Sequence, residues 1–311
     1  MGIVKAVCIS DKRGIQKSDV KQAVFEKDFG IKGDAHGGNW HRQVSMLSYE
    51  QVEAFNQKGA NAQKGAFGEN LLIEGFDFRT LPVGTVFKCN DVLLEITQIG
   101  KECHTHCQIY QKMGECIMPT QGVFAEVLHG GTIAVGDEMV IVEEKQEHRP
   151  RAAVVTMSDK ASRGERENQS GPLIATILQQ EGYKIIEQVV IPDEQTMIEK
   201  ELIRLADGRQ AALIVTTGGT GFSERDCTPE ATLNIATRNA PGIAEAIRAY
   251  SQTITKRAML SRGVSVIRNQ TLIINLPGSP KAVEESLVYI VTELKHGLDI
   301  LRGGETECTR K

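Results

Sequence analysis

Four short apolar runs, each followed by a helical pattern, limit what the second half of this 311-residue chain can form. The runs span residues 152–156, 184–191, 211–216 and 272–276. Strands buried on both faces of a parallel sheet have this continuous apolar character. Ser170-Gly171-Pro172 and Ser279-Pro280 each place a capping hydroxyl ahead of a proline suited to the first helical turn. Residues 148–304 are therefore predicted to form a three-layer α/β domain with a mainly parallel sheet.

Residues 1–147 have a different pattern, in which short strand-like pieces are interrupted by Gly, Asn and Asp. The pieces span 3–10, 43–47, 85–89, 92–97, 123–128 and 139–142, and residues 49–58 have a helical pattern. This favours a mostly β domain, an antiparallel barrel or a curled sheet. The polar segment 143–150 predicts a linker between the two domains, and residues 305–311 predict a polar tail.

The composition argues against two classes of partner. The chain carries 36 Lys and Arg against 40 Asp and Glu, a formal net charge of −4, and has one Trp, so nucleic acid is not an expected partner. No stretch approaches the roughly 18 apolar residues of a spanning helix, and the first residues do not resemble a signal peptide. We therefore expect no membrane association and a cytoplasmic protein. Seven cysteines, an odd number, favour reduced thiols over a disulfide framework.

Polar and glycine-rich loops follow all four apolar runs, and ligands of parallel sheets bind at the carboxyl ends of the strands. The loops are Met157-Ser158-Asp159, Pro192-Asp193-Glu194, residues 217–221, and Pro277-Gly278-Ser279-Pro280. Glycine amides can approach a phosphate closely, whereas the nearby Asp226 would repel one unless Mg²⁺ lies between them. The pattern indicates a metal–phosphate site. A tight turn at the glycines and a helix cap at Asp193 are the structural alternatives.

Eight motifs follow one another along residues 152–302: Thr156-Met157-Ser158-Asp159, Ser170-Gly171-Pro172, Ile191-Pro192-Asp193-Glu194, residues 217–221, residues 225–230, Pro241-Gly242, residues 259–262 and residues 275–280. In these motifs the segment closely resembles the molybdopterin adenylyltransferase family. The resemblance implies that the terminal phosphate of molybdopterin attacks the α-phosphate of Mg·ATP. It also implies a homotrimer that forms through this half of the chain.

The resemblance and the loop pattern together give a set of predicted site residues. Asp193 and Asp226 are the predicted catalytic carboxylates and the predicted Mg²⁺ ligands. The predicted contacts to ATP and molybdopterin are Ser158, Asp159, Ser170, Gly171, Thr217, Gly218, Gly219, Thr220, Gly221, Ser261, Arg262, Asn275, Pro277, Gly278 and Ser279.

A cluster of thiols and imidazoles marks the first half of the chain. Cys103, His104, His106, Cys107 and Cys116 lie within fourteen positions. Three interpretations stay open: a zinc site, a reactive thiol at Cys103 activated by Lys101 and the histidines, and buried cysteines that act as small apolar residues. The last is the interpretation favoured for Cys8 and Cys89, which lie in strand-like runs.

Several motifs lie along residues 3–143: residues 33–38, Gln43-Val44-Ser45, residues 67–70, Cys103, residues 122–127, Gly130-Gly131 and Gly136-Asp137. In these motifs the segment resembles the MOSC domain, the sulfur-carrier module of molybdenum-cofactor sulfurases. The resemblance implies a β barrel in which Cys103 carries a persulfide or contacts the molybdenum of the cofactor. His36, His41, Arg42 and Lys101 are candidate contacts for the pterin phosphate. Glu102 stands where family members often have proline.

Both halves thus point to one ligand, and the leading hypothesis is a molybdenum-cofactor biosynthesis enzyme, an adenylyltransferase fused to a MOSC domain. The alternatives are a non-catalytic carrier of molybdopterin and a zinc- or redox-sensing module on a degenerate enzyme. Asp193 and Asp226 favour the enzyme, since a mere anion binder gains nothing from two carboxylates beside its phosphate loop. A cysteine desulfurase and a molybdoenzyme are the protein partners that the resemblance suggests. Sulfur transfer, metal insertion and simple binding stay open for the first half, as does molybdenum or tungsten as the metal.

Overall fold

The computed structural model describes residues 1–101, 108–142 and 149–303. They form two compact units, one on each side of residues 143–148, in agreement with the predicted two-domain layout. The predicted boundary at 147/148 and the predicted tail at 305–311 lie outside the described residues. No helix in the described ranges is long and apolar enough to cross a membrane.

The first unit is a β barrel with short helices. Its strands are β1 (Gly2–Ile9), β2 (Ser18–Asp19), β3 (Gln22–Glu26), β4 (Gly30–Ile31), β5 (Val44–Ser48), β6 (Leu71–Glu74), β7 (Val86–Cys89), β8 (Val92–Ile99), β9 (Val123–His129), β10 (Gly131–Ala134) and β11 (Glu138–Val142). Its helices are α1 (Tyr49–Gln57), α2 (Gln108–Met113), α3 (Met118–Gln121) and the 3-10 turn Phe78–Thr80.

Seven of these strands close on themselves in the order β11-β7-β8-β9-β5-β6-β1, because β1 pairs with β11 as well as with β6. The structure is therefore a closed barrel and not an open curled sheet. All of its pairs are antiparallel except β5–β6. Its interior is apolar and includes the edge-to-face ring pairs of Phe87 with Phe76 and Phe78. A separate sheet in the order β10-β3-β4 completes the unit.

The second unit alternates strands and helices. Its strands are β12 (Arg151–Met157), β13 (Lys184–Ile191), β14 (Leu213–Thr217), β15 (Arg238–Asn239), β16 (Ser265–Arg268) and β17 (Thr271–Leu276). Its helices are α4 (Asp159–Ser162), α5 (Ser170–Gln180), α6 (Gln195–Ile203), α7 (Thr228–Asn234), α8 (Pro241–Ile254) and α9 (Pro280–Leu301), with a π turn at Arg204–Gly208 and a 3-10 turn at Lys256–Leu260.

The sheet of this unit has the order β13-β12-β14-β17-β16-β15 and is mixed, so the mainly parallel sheet predicted from the sequence is confirmed only in part. The first four strands are parallel, whereas β16 runs antiparallel to β17 and β15 runs antiparallel to β16. The reason is the short connection between β16 and β17, in which Asn269 has a φ of +52°. A two-residue hairpin can join antiparallel strands only.

Helices cover both faces of the sheet, as predicted. Alternate residues of β12 point to opposite sides, Ala152 and Val154 toward one core and Ala153 and Val155 toward the other. The first core contains residues of α5, α8 and α9, and the second contains residues of α6 and α7. Because β12, β13, β14 and β17 are parallel, their carboxyl ends lie at one edge of the sheet, and the four predicted loops emerge there.

Candidate active site

The strand register brings the four loops of the second unit together. Met157 pairs with Ile191 at the ends of β12 and β13, and Thr217 pairs with Leu276 at the ends of β14 and β17. Thr217 Oγ1 donates to the carbonyl of Pro277 over 2.6 Å, and Ser170 Oγ donates to the carbonyl of Gly278 over 2.9 Å. Polar side chains thus join neighbouring loops at the edge that the sequence predicted.

The glycine loop after β14 has a backbone that other residues rarely adopt. Gly218 has a φ of +97° and Gly219 a φ of +63°. A Cβ at Gly218 would overlap the carbonyl of Met157, and a Cβ at Gly219 would overlap Thr228 Oγ1. The hydroxyl of Thr228 in turn donates to the carbonyl of Gly218 over 3.0 Å. Glycine is required at both positions, because the loop folds back onto β12 and the start of α7.

Asp193 and Asp226 both face this loop. A Cβ built on Gly219 would lie 3.2 Å from Asp193 Oδ1, and one built on Gly221 would lie 2.8 Å from Asp226 Oδ2. Asp226 Oδ2 accepts the amide of Ser223 over 2.9 Å, which fixes the carboxylate at a turn of the loop. The structure therefore brings the two predicted carboxylates to the same glycine-rich segment.

The surroundings of Asp193 disfavour its negative charge. Burial raises the pKa of Asp193 above its ordinary value, and the negative charges of Asp159 and Asp226 raise it further. By contrast, the hydrogen bond from Arg225 lowers the pKa of Asp159. A bound cation would favour the ionised form of Asp193.

Arg225 was not among the predicted site residues, although it stands next to Asp226 in the sequence. Its guanidinium binds both carboxylate oxygens of Asp159 over 2.8 and 2.9 Å from Nη2. Its position next to Asp226 was the one signal in the sequence. Its partner Asp159 is 66 residues away, and no local pattern identifies that pair.

Arg262 and Asn275, predicted as ligand contacts, are occupied by protein groups. Arg262 donates to the carbonyls of Gly221 and Asp226 and to the carboxylate of Glu230. Its guanidinium thus ties both ends of the loop that carries Asp226. Arg262 therefore braces this loop, and its contact with ligand stays a prediction.

Asn275 is 3% exposed, and both its amide nitrogen and its oxygen have protein partners. Its Nδ2 donates to the hydroxyls of Thr216 and Thr232 over 2.9 and 3.0 Å, and its Oδ1 accepts the amide of Val264 over 3.2 Å. Asn275 therefore joins β17 to β14, to α7 and to the residue before β16, and its contact with ligand stays a prediction.

The remaining predicted residues line the loops. Ser158 Oγ accepts the amide of Ala161 and Ser279 Oγ accepts that of Ala282, so both hydroxyls cap helices, α4 and α9. The amide of Gly171 donates to the side chain of Asn168 over 3.1 Å. Thr220 is buried, whereas Ser261 is half-buried and its hydroxyl accepts the amide of Gly263.

An open pocket of about 510 Å³ adjoins the glycine loop. It is lined by Phe222, Ser223, Glu224, Asp226, Cys227, Glu230 and Arg262. The volume falls in the range of roughly 300–1,000 Å³ that small-molecule sites occupy. Burial and the charge of Asp193 raise the pKa of the Cys227 thiol, so this cysteine lacks the activation expected of a nucleophile.

Asp193 and Asp226 suit Mg²⁺, which can share its ligands with substrate, better than a metal ion that needs protein ligands alone. Within residues 1–101, 108–142 and 149–303, no group of three or more His, Cys, Asp or Glu side chains is arranged to hold a metal ion. Mg²⁺ commonly keeps several waters and binds through one or two carboxylates together with substrate phosphates. Asp193 and Asp226, both beside the glycine loop, match that donor set.

In the first unit, Asp34 is the centre of a buried polar network. Its carboxylate accepts hydrogen bonds from Lys17 Nζ over 2.7 Å, from the backbone and Nδ1 of His36 over 2.8 and 3.0 Å, and from Asn70 Nδ2. Burial alone would raise the pKa of Asp34, but the His36 hydrogen bond and the charge of Lys17 hold it well below its usual range. His36 is thus fixed with Nδ1 toward Asp34.

Three motifs of the first half meet at this network. Asn70 Oδ1 accepts the hydroxyl of Ser45 over 2.9 Å, which connects residues 67–70 with residues 43–45. Glu69 is fully buried and accepts the amides of Gly65 and Phe67. Burial raises the pKa of Glu69 to about 7. The motifs that were separate in sequence therefore form one structural hub around Asp34.

Arg42 and Lys101, predicted phosphate contacts, lie against one aromatic ring. The Arg42 guanidinium is 5.6 Å and Lys101 Nζ is 5.9 Å from the centre of the Phe124 ring. Arg42 also stacks on Trp40, whose Nε1 donates to the carbonyl of His36 over 2.9 Å. Two cations near the Phe124 ring give its surroundings a positive character. His41, the other predicted contact, has its Nε2 hydrogen-bonded to Gln98 over 3.0 Å.

The predicted reactive cysteine cannot be described in the same way. Cys103, His104, His106 and Cys107 lie outside the described residues, immediately after Lys101. Cys116 is half-buried. Cys8 and Cys89 are buried in the barrel, and burial raises the pKa of each thiol to about 12, which confirms that they behave as apolar residues.

Known families match both units. Residues 153–296 match the model described as a probable molybdopterin binding domain, and residues 32–140 match the MOSC domain. Molybdopterin adenylyltransferase from Helicobacter pylori strain J99 is 39% identical over 160 residues, which cover 51% of this chain and 91% of that protein. The enzyme of the same name from Escherichia coli K12 is 43% identical over 139 residues, 44% of this chain and 71% of that protein.

Solved structures also match the second half. The molybdopterin biosynthesis enzyme MoaB from Thermus thermophilus is 42% identical, and the alignment covers 49% of this chain and 96% of that one with a TM-score of 0.47.

Proposed function

The chain belongs, through its second unit, to the family of molybdopterin adenylyltransferases, and on that premise we propose that it transfers the adenylyl group of Mg·ATP to molybdopterin. In this reaction an oxygen of the terminal phosphate of molybdopterin forms a bond to the α-phosphorus of ATP. The bond between the α-phosphorus and the bridging oxygen breaks, and pyrophosphate leaves. The product is adenylylated molybdopterin.

One observation carries the proposal: two carboxylates, Asp193 and Asp226, face the same glycine-rich loop at the carboxyl end of β14. A carrier of an anionic pterin would be weakened by these charges, because like charges repel at short range. An adenylyltransferase needs them, because they hold the Mg²⁺ that neutralises the triphosphate.

The chain's own residues have three roles in the proposed reaction. Asp193 and Asp226 hold the metal or its waters, and the amides of residues 218–221 bind phosphate oxygens. Arg262 holds the loop that carries Asp226. Catalysis then comes from positioning two anions and from neutralising charge that develops on the leaving pyrophosphate.

The first unit is proposed to handle the same cofactor. Arg42 and Lys101 supply positive charge beside Phe124, which suits the phosphate of a pterin. Cys103 is proposed to carry sulfur or to contact molybdenum, as the MOSC resemblance implies. Rapid alkylation of Cys103 relative to Cys116 would support an activated thiol, whereas stoichiometric zinc lost in a Cys103→Ala variant would replace it with a metal site.

The proposed assembly is a homotrimer formed by the second unit, in a cytoplasmic enzyme. An apolar surface supports self-association: Tyr250 stacks on Tyr289 at 4.2 Å between ring centres, and the neighbouring side chains Ile254, Met259 and Val288 are 46%, 61% and 57% exposed. A cysteine desulfurase and a molybdoenzyme stay the proposed protein partners of the first unit.

The direct test is a radiolabelled turnover assay with purified protein, molybdopterin and Mg·ATP labelled at the α-phosphate. The proposal expects label on the pterin and an equal amount of pyrophosphate, both abolished by a chelator. Tight binding of molybdopterin without pyrophosphate release would instead support the non-catalytic carrier.

A further inference from the structure

Asp159 and Asp193 hold each other through two reciprocal hydrogen bonds. The amide of Asp159 donates to Asp193 Oδ2 over 2.9 Å, and the amide of Asp193 donates to Asp159 Oδ1 over 3.1 Å. The two bonds join the loops after β12 and β13. Because Oδ2 of Asp193 is occupied in this way, its Oδ1 is the oxygen turned toward Gly219.

Arg225 extends this connection to the glycine loop after β14. It makes a bidentate pair with Asp159, with distances of 3.1 Å from Nε to Oδ2 and 2.8 Å from Nη2 to Oδ1. Three loops from three neighbouring strands are therefore linked in the order Arg225, Asp159, Asp193. The Arg225 side chain is 56% exposed and projects from the loop that also carries Asp226.

The charges explain why the link needs an arginine. Orienting Asp193 through Asp159 adds a third carboxylate to a site that must accept a triphosphate. Like charges at such distances repel appreciably even at the effective dielectric of a protein surface. Arg225 cancels the charge of Asp159, so the charges of Asp193 and Asp226 are left for one divalent cation.

We propose that Arg225 and Asp159 form a positioning pair, in which Asp159 orients Asp193 toward the glycine loop and Arg225 cancels the charge that this orientation introduces. The proposal rests on the proposed adenylyl transfer, and it assigns neither residue a contact with substrate. It differs from the sequence-based prediction, in which Asp159 contacts the ligand directly.

Charge cancellation is tested by double-mutant binding. Calorimetry would measure the affinity for Mg²⁺ with α,β-methylene ATP, a nucleotide that cannot transfer its adenylyl group. Arg225→Gln leaves Asp159 uncompensated, so nucleotide should bind about tenfold more weakly, while Mn²⁺ alone should bind no more weakly than to the wild type. Adding Asp159→Asn removes that excess charge and should restore nucleotide affinity to within about threefold of the wild type.

Orientation is tested by two substitutions at Asp159. Asn keeps an oxygen that accepts the Asp193 amide, whereas Ala removes it. Asp159→Asn should therefore keep kcat within about threefold of the wild type, and Asp159→Ala should lower kcat about tenfold or more with little change in KM for ATP.

Arg268→Gln is the matched control, because Arg268 makes a similar bidentate pair with Asp207 away from the loops. It should lower the melting temperature without changing nucleotide affinity. If the double variant binds nucleotide as weakly as Arg225→Gln alone, Arg225 contacts phosphate directly and the proposal is wrong. Equal losses in Asp159→Asn and Asp159→Ala would also overturn it. Because calorimetry measures binding without turnover, the outcomes for Arg225→Gln and the double variant stand apart from whether the wild type transfers the adenylyl group.

Discussion

At the scale of single residues, the glycine loop shows how closely backbone and site are connected. Gly218 and Gly219 adopt left-handed φ values, and the space where their side chains would lie is filled by Met157, Thr228 and Asp193. The sequence predicted a phosphate loop from three glycines. It could not predict that Thr228, nine positions after Gly219, fills the place of a side chain.

Gly219→Ala should reduce both stability and adenylyl transfer. Alanine at a φ of +63° costs about 1–2 kcal/mol in backbone energy, and its Cβ would displace Thr228. Gly242→Ala is the control, since a Cβ there meets nothing within 4 Å. Thermal unfolding and the turnover assay measure the two effects, and equal behaviour of both variants would contradict the account of the loop.

Glu69 should make the stability of the first unit depend on pH. Its pKa is about 7 in the folded chain against 4.5 for the free side chain, so the folded state binds the proton more tightly. The stabilisation is complete below about pH 4.5 and is lost as pH rises through 7, by up to about 1.4 kcal/mol per pH unit.

Fluorescence of Trp40, the one tryptophan of the chain, can follow unfolding of this unit between pH 5 and 8. Glu69→Gln should flatten the slope, because glutamine does not titrate. A slope that is unchanged in this variant would assign the pH dependence to other groups.

At the scale of elements, apolar runs identified most strands but few of their partners. The runs at 152–156, 184–191, 211–216 and 272–276 correspond to β12, β13, β14 and β17, and the loops after them form the site. Strand β6 was missed, although its parallel pairing with β5 helps to close the barrel, and so was the β15–β16 edge. These strands are short and have no alternation, so their pairing depends on contacts distant in sequence.

Asn275 illustrates the same limit for the site. Its place in a motif predicted a ligand contact, which stays a prediction, but not its protein partners Thr216 and Thr232, which are 59 and 43 residues away. The sequence alone does not distinguish a polar side chain that bonds to distant elements of the fold from one that binds a ligand.

Asn275→Ala should therefore act on stability first. It removes the acceptor of the Val264 amide and the donor to two buried hydroxyls, and a buried group left unsatisfied costs about 1–3 kcal/mol. Asn234→Ala, at an exposed asparagine that bonds Glu199, should change the free energy of unfolding by much less. If Asn275→Ala unfolds like the wild type but loses nucleotide binding, the residue is a ligand contact after all.

At the scale of the whole molecule, two units with separate cores share one chain. Each has its own apolar clusters, and each matches a different family model. One description names a molybdopterin binding domain. The other names the MOSC domain, which the sequence analysis related to molybdenum-cofactor chemistry. This organisation predicts that the units fold independently.

Residues 148–304 expressed alone should give a cooperatively unfolding protein that binds Mg²⁺ and nucleotide. The sheet of this fragment is covered on both faces by its own helices, so its core needs no residue from the first unit. An insoluble or molten fragment that folds only when residues 1–147 are added would contradict the independence of the units.

The central claim, that this chain is a metal-dependent adenylyltransferase, is tested most directly by Asp226→Asn in the full chain. The amide keeps the shape of the carboxylate but removes the charge proposed to hold Mg²⁺, and loss of one charge-stabilising group commonly costs about 100-fold or more in rate. We predict that adenylyl transfer falls by at least that factor while the Kd for molybdopterin changes by less than about threefold, since the glycine amides are still present. Turnover near the wild-type rate with a normal Mg²⁺ dependence would contradict the account.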